Sequence, residues 1–230
     1  MKIGQEASKS FAYILGVYLG DGCVSKTGRY TIFRLNTIDL DFAEKTKAAL
    51  LNLGCRTVSI SIYSVKKSSK PNHALQSRHD DLTEKLVLLT NRKSKLPDMS
   101  DWDRDDKLAF ISGLMDSEGF VAASNNPTNR RYYMGYKSCD VWVPNFIKLL
   151  ESVGIKIGKI QVEKPYKAHY KAPMRFTIKM KSWIDSGAYF NISRKQNRVM
   201  EWNSSGAYEN RSRYPRRLTS ETNMSNIQKG

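Results

Sequence analysis

The chain has 230 residues, enough for one large core or two small ones. Its 38 Lys and Arg against 22 Asp and Glu leave a net charge of +16, a self-repulsion that fits a polyanionic partner. No apolar run is long enough to cross a bilayer and residues 1–10 lack the apolar stretch of a signal peptide. The basic residues are scattered among strand-like segments instead of lying along one amphipathic helix, which disfavours a membrane surface and favours nucleic acid.

Residues 9–22, KSFAYILGVYLGDG, predict an apolar helix that runs into Gly-Asp-Gly. A strand-rich segment over about 23–36 follows, then Asp39 as the N-cap of a helix carrying Phe42, Leu50 and Leu53 and stopped by Gly54. Strands over 56–63 and 73–78 and a short helix over about 80–90 lead into Asn91-Arg92-Lys93-Ser94. Residues 97–104 read as a linker. The plan is then written again. Residues 106–119, DKLAFISGLMDSEG, predict a second apolar helix running into Ser-Glu-Gly, followed by strand character over 120–138. Asp140 is the corresponding N-cap, of a helix with Phe146, Leu149 and Leu150 that stops at Gly154. Strands over 158–164 and 174–180 and a helix over 181–189 precede Ser193-Arg194-Lys195-Gln196.

Asp21 and Glu118, Asp39 and Asp140, Gly54 and Gly154, and Lys93 and Lys195 all recur at an offset of about 100 residues, too long for a solenoid unit. The expectation is an α+β protein of two pseudo-symmetric αββαββα lobes, residues 1–96 and 105–202, each with a four-stranded antiparallel sheet. Residues 203–230 read as a basic tail, solvated or mobile.

A carboxylate at a helix C-terminus opposes the helix dipole, at a cost of about 0.3–1 kcal/mol when exposed. Both repeats place one there, Asp21 and Glu118, each followed by glycine. A bound cation reverses the sign of that cost. Gly16 and Gly20 share one helix face, as do Gly113 and Ser117; side chains this small let two helix backbones approach. Paired, the two helices bring Asp21 beside Glu118 as an oxygen-rich site for a hard cation. His73, His79 and His169 form no ligand-like pair, which argues against structural zinc. Cys23, Cys55 and Cys139 read as small core residues of an intracellular, reducing compartment, whether a bacterial, archaeal or phage-infected cytoplasm or an organelle matrix.

Ile14-Leu15-Gly16-Val17-Tyr18-Leu19-Gly20-Asp21-Gly22 resembles a LAGLIDADG motif, and Ile111-Ser112-Gly113-Leu114-Met115-Asp116-Ser117-Glu118-Gly119 resembles a second, closer one. The first departs at its sixth residue, Leu19 in place of Asp, and keeps the eighth-position acid. Two motifs in one chain imply a monomeric LAGLIDADG homing endonuclease, its lobes joined at a central pair of motif helices. The resemblance implies Asp21 and Glu118 as metal ligands, with Gly20 and Ser117 in the same metal set, and Lys93 and Lys195 as catalytic lysines; Lys95 is a rival to Lys93. It implies Mg²⁺ as cofactor, with Mn²⁺ as a substitute and Ca²⁺ supporting binding without cleavage. Double-stranded DNA would be cut once per strand across the minor groove, leaving short 3′ overhangs and promoting mobility of the host intron or gene. Saddle-shaped sheets lying along the major groove would read about 20 base pairs, at about 10 per turn. Arg29, Arg34, Asn36, Lys66, Arg131, Tyr133, Lys137, Lys164 and Arg175 are the candidate contacts. Two other readings keep the fold: an RNA-splicing maturase that binds intron RNA, and a non-catalytic DNA-binding regulator. Retention of both acids favours cleavage. An endonuclease embedded in an intein is not expected, since the first motif lies close to Met1.

Overall fold

The computed structural model describes residues 5–64, 70–124, 130–165 and 172–205. Lys66 and the stretch from 206 onward lie outside the described residues. The first lobe runs α1 (Gln5–Leu19), β1 (Cys23–Thr27), β2 (Tyr30–Thr37), α2 (Leu40–Asn52), β3 (Val58–Tyr63), β4 (Asn72–Arg78) and α3 (Asp80–Thr90). The second runs α4 (Arg104–Glu118), β5 (Gly119–Ala123), β6 (Tyr132–Ser138), α5 (Val143–Ser152), β7 (Ile157–Val162), β8 (Met174–Ile178), α6 (Met180–Asp185) and α7 (Ser193–Ser204). Each lobe holds one antiparallel sheet, and the two strand orders, β1-β2-β4-β3 and β5-β6-β8-β7, are the same order written twice.

Strand alternation assigns the sheet faces. Phe33, Leu35 and Leu75 are fully buried on the first sheet, where α2 lays Phe42, Ala43 and Leu50 against it. Arg34 pairs with Cys23 and Gln76, and Asn36 with Ala74, so these residues share the opposite, outward face. On the second sheet Met134, Tyr136 and Phe176 are buried beneath α5, whose Val143, Phe146 and Leu150 are fully enclosed. Lys137 pairs with Arg175, which pairs with Gln161 on the outward face.

Helices α2 and α5 end as anticipated. Gly54 and Gly154 take φ of +83° and +89°, the left-handed conformation that closes a helix C-terminus at no steric cost. Five expectations need correction. Asp39 occupies the N-cap position of α2 but its side chain caps nothing. Asp140 caps no helix: α5 starts at Val143 behind Trp142, because Pro144 is tolerated only in a first helical turn. The helix expected over 181–189 stops at Asp185, ahead of Gly187 at φ +78°. Helix α7 was not anticipated; only Lys195 and Val199 of its length are buried, so it carries almost no apolar periodicity to read, and it runs through Ser204, past the expected start of the tail. Of the cysteines only Cys55 is a core residue, while Cys23 and Cys139 are exposed.

The lobes meet where α1 crosses α4. Ile14, Leu15 and Val17 of α1 and Phe110, Ile111 and Leu114 of α4 are all fully buried; burial of such a side chain contributes about 1.5–3 kcal/mol. The approach is set by two glycines. A Cβ on Gly16 would collide with Phe110 O and come within 2.8 Å of Leu114 N, and one on Gly113 would collide with Tyr13 O and come within 3.1 Å of Val17 N. These obstacles are backbone atoms, which cannot step aside. Tyr13 reinforces the crossing by donating its hydroxyl to Asp116 Oδ2 at 3.1 Å.

Gly16→Ala should therefore force the helices apart and destabilise the fold by about 1–3 kcal/mol. A thermal melt should show a fall of about 2–4 °C for each kcal/mol lost; an unchanged melting temperature would contradict this packing.

Candidate metal and nucleic-acid site

The crossing delivers two acids to one place by different local routes. Glu118 is the last residue of α4, with Gly119 as its C-cap. Helix α1 ends at Leu19, so Asp21 lies two residues past the helix, in a turn held by Gly22 N–H donating to Val17 O at 2.8 Å. Gly20 is pressed on the facing helix, where a Cβ would meet Ser117 Cβ and Oγ and lie 3.4 Å from Glu118 Cγ. Both acids are open to solvent, yet the protein crowding their flanks raises both pKa values. For Glu118 the negative charge of Asp21 adds to that crowding, while Lys93 and Lys195 pull the other way. For Asp21 the opposing charges are Lys195 first and then Lys93.

The two lysines do the same thing in each lobe. Lys93 Nζ donates to Gly20 O at 2.7 Å and sits 5.3 Å from the centre of the Tyr18 ring. Lys195 Nζ donates to Met115 O at 3.0 Å and Asp116 O at 2.6 Å and sits 5.7 Å from the Phe190 ring. Each ammonium thus takes carbonyls at the end of its lobe's central helix, where the dipole favours a cation. Burial lowers both lysines, Lys195 to about 8. Lys95 is exposed and its amide only closes the turn on Thr90 O, so Lys93 is the lysine at the site.

Their backbones differ. Lys93 lies in a run of three left-handed residues, Asn91, Arg92 and Lys93, at φ of +45°, +54° and +69°. Non-glycine residues there cost on the order of 1–3 kcal/mol each, and such strain persists only where neighbours enforce it. Lys195 lies instead in the first turn of α7, which puts it on a regular helix.

Asp116, sixth in the second motif, is buried at 1% exposure. Its carboxylate accepts from Tyr13 Oη, from the Asn191 amide at 2.9 Å and side chain at 2.8 Å, and from the Ile192 amide at 3.4 Å. It fixes the turn that enters α7. Burial pushes it up to about 6, against those donors and the Lys195 charge. Leu19 at the matching place in the first motif cannot act this way. A cleft of about 250 Å³ opens beside Asp21 and is lined by Asn36, Asp39, Asp116, Ser117 and Arg194 as well.

Among the described residues no group of three or more His, Cys, Asp or Glu could hold a metal by itself. The donor set on offer is two hard carboxylates on adjoining helix ends, which suits a cation that completes its shell with water or phosphate oxygen. The other two members of the expected metal set are already engaged: Gly20 O holds Lys93 Nζ, and Ser117 Oγ donates to Gly113 O at 3.1 Å.

Of the expected DNA contacts, Arg34 and Asn36 lie on the outward face of the first sheet, and Tyr133, Lys137 and Arg175 on that of the second. Arg29 is in the β1–β2 turn, donating to Tyr30 Oη at 2.9 Å. Arg131 precedes β6, Lys164 follows β7, and both are exposed. Lys66 lies outside the described residues. Lys137 and Arg175 both pair with Glu163, at 2.6 and 3.7 Å. Residues missed on the outward faces include Gln76 and Arg78, the latter stacked on Tyr30 at 2.9 Å from its ring centre. Leu75, the one large apolar residue of β4, was the signal that could have found them, since in a strand its neighbours Ala74 and Gln76, and Arg78 two on from Gln76, take the other face. Asp41 and Arg194, missed at the lobe junction, carried no such signal.

Residues 8–93 match the family described as LAGLIDADG-like domain. An uncharacterized protein of Methanocaldococcus jannaschii is 30% identical over 122 residues, which is 51% of this chain and 41% of that relative; a second from the same organism is 41% identical over 58 residues and 22% of its length. The chain thus spans less than half the length of the curated relatives it matches. Among solved structures, I-DmoI in complex with DNA and Ca superposes with a TM-score of 0.52 at 16% identity, over 79% of this chain and 88% of that one. The homing endonuclease I-WcaI bound to its DNA recognition sequence gives 0.53 at 10% identity, over 82% and 86%. The N-terminal LAGLIDADG domain of DUF199/WhiA gives 0.50 at 12% identity, over 81% and 82%. At these identities the likeness is one of fold, and it spans both lobes.

The raised Asp116 carboxyl has a consequence for stability. Between about pH 4 and 6 Asp116 keeps a proton in the folded chain that it releases in the unfolded one, so its contribution to stability falls as pH rises through that window, by on the order of 3 kcal/mol. Urea unfolding at pH 4, 5, 6 and 7 should show wild type losing stability relative to Asp116→Asn as pH rises, whatever the offset between them. An identical slope in both proteins would contradict the assignment.

Proposed function

We propose that this chain, which carries the LAGLIDADG fold as two lobes of a single polypeptide, is a site-specific homing endonuclease that cuts double-stranded DNA as a monomer and promotes mobility of its host intron or gene. The observation that carries the reading is the meeting of Asp21, Glu118, Lys93 and Lys195 at one helix crossing, between two sheets whose outward faces are basic and polar.

Asp21 and Glu118 would hold Mg²⁺, with Mn²⁺ as a substitute and Ca²⁺ supporting binding alone. The related fold of I-DmoI has been seen with DNA and Ca and with DNA and Mn. When bound, such a cation supplies a water of lowered pKa and neutralises charge on the phosphate. The chain's own groups do the rest. Lys93 and Lys195, each fixed by helix-end carbonyls, would face charge building on a phosphate oxygen from a preorganised position. Lys195 Nζ, which burial lowers to about 8, would polarise water at its half of the site. Arg34 and Asn36 in one lobe and Tyr133, Lys137 and Arg175 in the other would contact base edges or phosphates, arginine suiting guanine and asparagine adenine. One acid per strand would give paired cuts with short 3′ overhangs.

The test is a plasmid bearing the joined sequences that flank this reading frame. Wild type with Mg²⁺ should linearise it, while Asp21→Asn and Glu118→Gln keep their affinity and do not cut. Affinity should fall steeply with added salt in all three proteins, through counterion release. Binding without cleavage by wild type would mean a metal-free DNA-binding module on this fold, and cleavage surviving both substitutions would sink the assignment.

A further inference from the structure

The segment that carries each lysine is secured by the opposite lobe. The left-handed run Asn91–Lys93 belongs to the first lobe, yet Lys93 O accepts from the indole Nε1 of Trp142, in the second, at 3.1 Å. Trp142 is 2% exposed and anchored among Phe146 and Tyr136, with both ring centres 6.4 Å away. It is therefore a stiff support for a strained turn. The exchange also runs the other way. Helix α7 of the second lobe has Ile192 at its N-cap and no side-chain cap of its own. The missing acceptor comes from the first lobe: Asp41 Oδ2 takes the Ser193 amide. Burial alone would raise Asp41, but the Ser193 amide and hydroxyl overcome it and hold its carboxyl below the usual range. One residue on, Arg194 Nε and Nη2 donate to the two oxygens of Asp39 at 2.7 and 2.8 Å. Asp39, expected to cap α2, spends its carboxylate on this grip instead.

We propose that the lobes position each other's lysine: Trp142 fixes the main chain that carries Lys93, and Asp41 with Asp39 fixes the helix start that carries Lys195. Charge coupling crosses in the same sense, since among the lysines Lys195 acts most strongly on Asp21 and Lys93 most strongly on Glu118. Each cutting centre is then a composite, complete only when the lobes are docked. Trp142, Asp39 and Asp41 are positioning residues, because they act through the lysines. The inference rests on the nuclease reading for its consequence, that damage to one grip disables the cut in one strand only. Its structural half stands without that reading.

Two variants of the full chain test it. Trp142→Phe keeps an aromatic ring and removes the donor; Asp41→Asn keeps the shape and removes the charge. Peptide-resolved hydrogen exchange on the metal-free protein should show faster exchange around residues 91–96 in Trp142→Phe and around 193–198 in Asp41→Asn, each leaving the other segment at the wild-type rate. On an end-labelled duplex of the joined flanking sequences with Mg²⁺, at saturating DNA, each variant should slow one strand's cut, by up to about a hundredfold, the effect of misplacing one catalytic group by about an ångström. The affected strand should differ between the two variants, and nicked product should accumulate. A merely destabilised protein would slow both strands together. Exchange that rises in both segments with either variant, or in neither, overturns the reciprocal grip. Crossed exchange in a wild-type protein that cuts nothing overturns the nuclease reading and leaves the grip standing.

Discussion

Everything at the site depends on how closely the backbones of α1 and α4 approach. Gly16 and Gly113 each lie against main-chain atoms of the opposite helix, so any larger side chain would have to displace a helix rather than a rotamer. That approach fixes the far ends of the helices as well. It brings Gly20 onto Ser117, lets Asp21 and Glu118 feel each other's charge, and lets two lysines from separate lobes act on both acids. A crossing held a few ångströms wider would leave two unrelated acidic turns.

The electrostatics at those ends resolve an apparent misfit. An acid at a helix C-terminus works against the dipole, and both lobes have one there or just beyond, Glu118 as the last residue of α4 and Asp21 two residues past α1. In each lobe the compensating cation is a lysine, Lys195 buried and Lys93 half-buried, bound to carbonyls at the helix end. The ammonium balances the dipole within the protein, which leaves the carboxylates turned outward and available. Burial depresses both lysines and raises both acids, so one packed junction moves the pKa values of four groups from their ordinary range. Perturbed groups gathered in this way make the junction a candidate functional site.

What could be read from the sequence was whatever repeats or alternates. The doubled plan of helix, paired strands and glycine-stopped helix was legible because Gly54 and Gly154, and Asp21 and Glu118, recur at one spacing. The crossing was legible because small residues four apart have one obvious use. Strand faces could be trusted as faces, and Arg34, Lys137 and Arg175 fell on the outward ones. Side-chain contacts between the lobes away from that crossing were not legible. Asp39 has the ordinary signature of an N-cap, and nothing nearby in the chain announces that Arg194 will claim it. Helix α7 was missed because its few buried positions include a lysine, which breaks the apolar pattern that reveals helices. Asp116 was seen as a motif letter; that it pins the turn leading to Lys195 depends on Asn191, distant in sequence.

The most direct test of the central claim is anomalous diffraction from Mn²⁺ in crystals of the protein with a DNA duplex. The account predicts manganese density at roughly 2.0–2.2 Å from carboxylate oxygens of both Asp21 and Glu118, a bond length typical of small hard divalent cations, with DNA phosphate completing the shell. Manganese bound elsewhere, with those carboxylates turned into salt bridges, would contradict it.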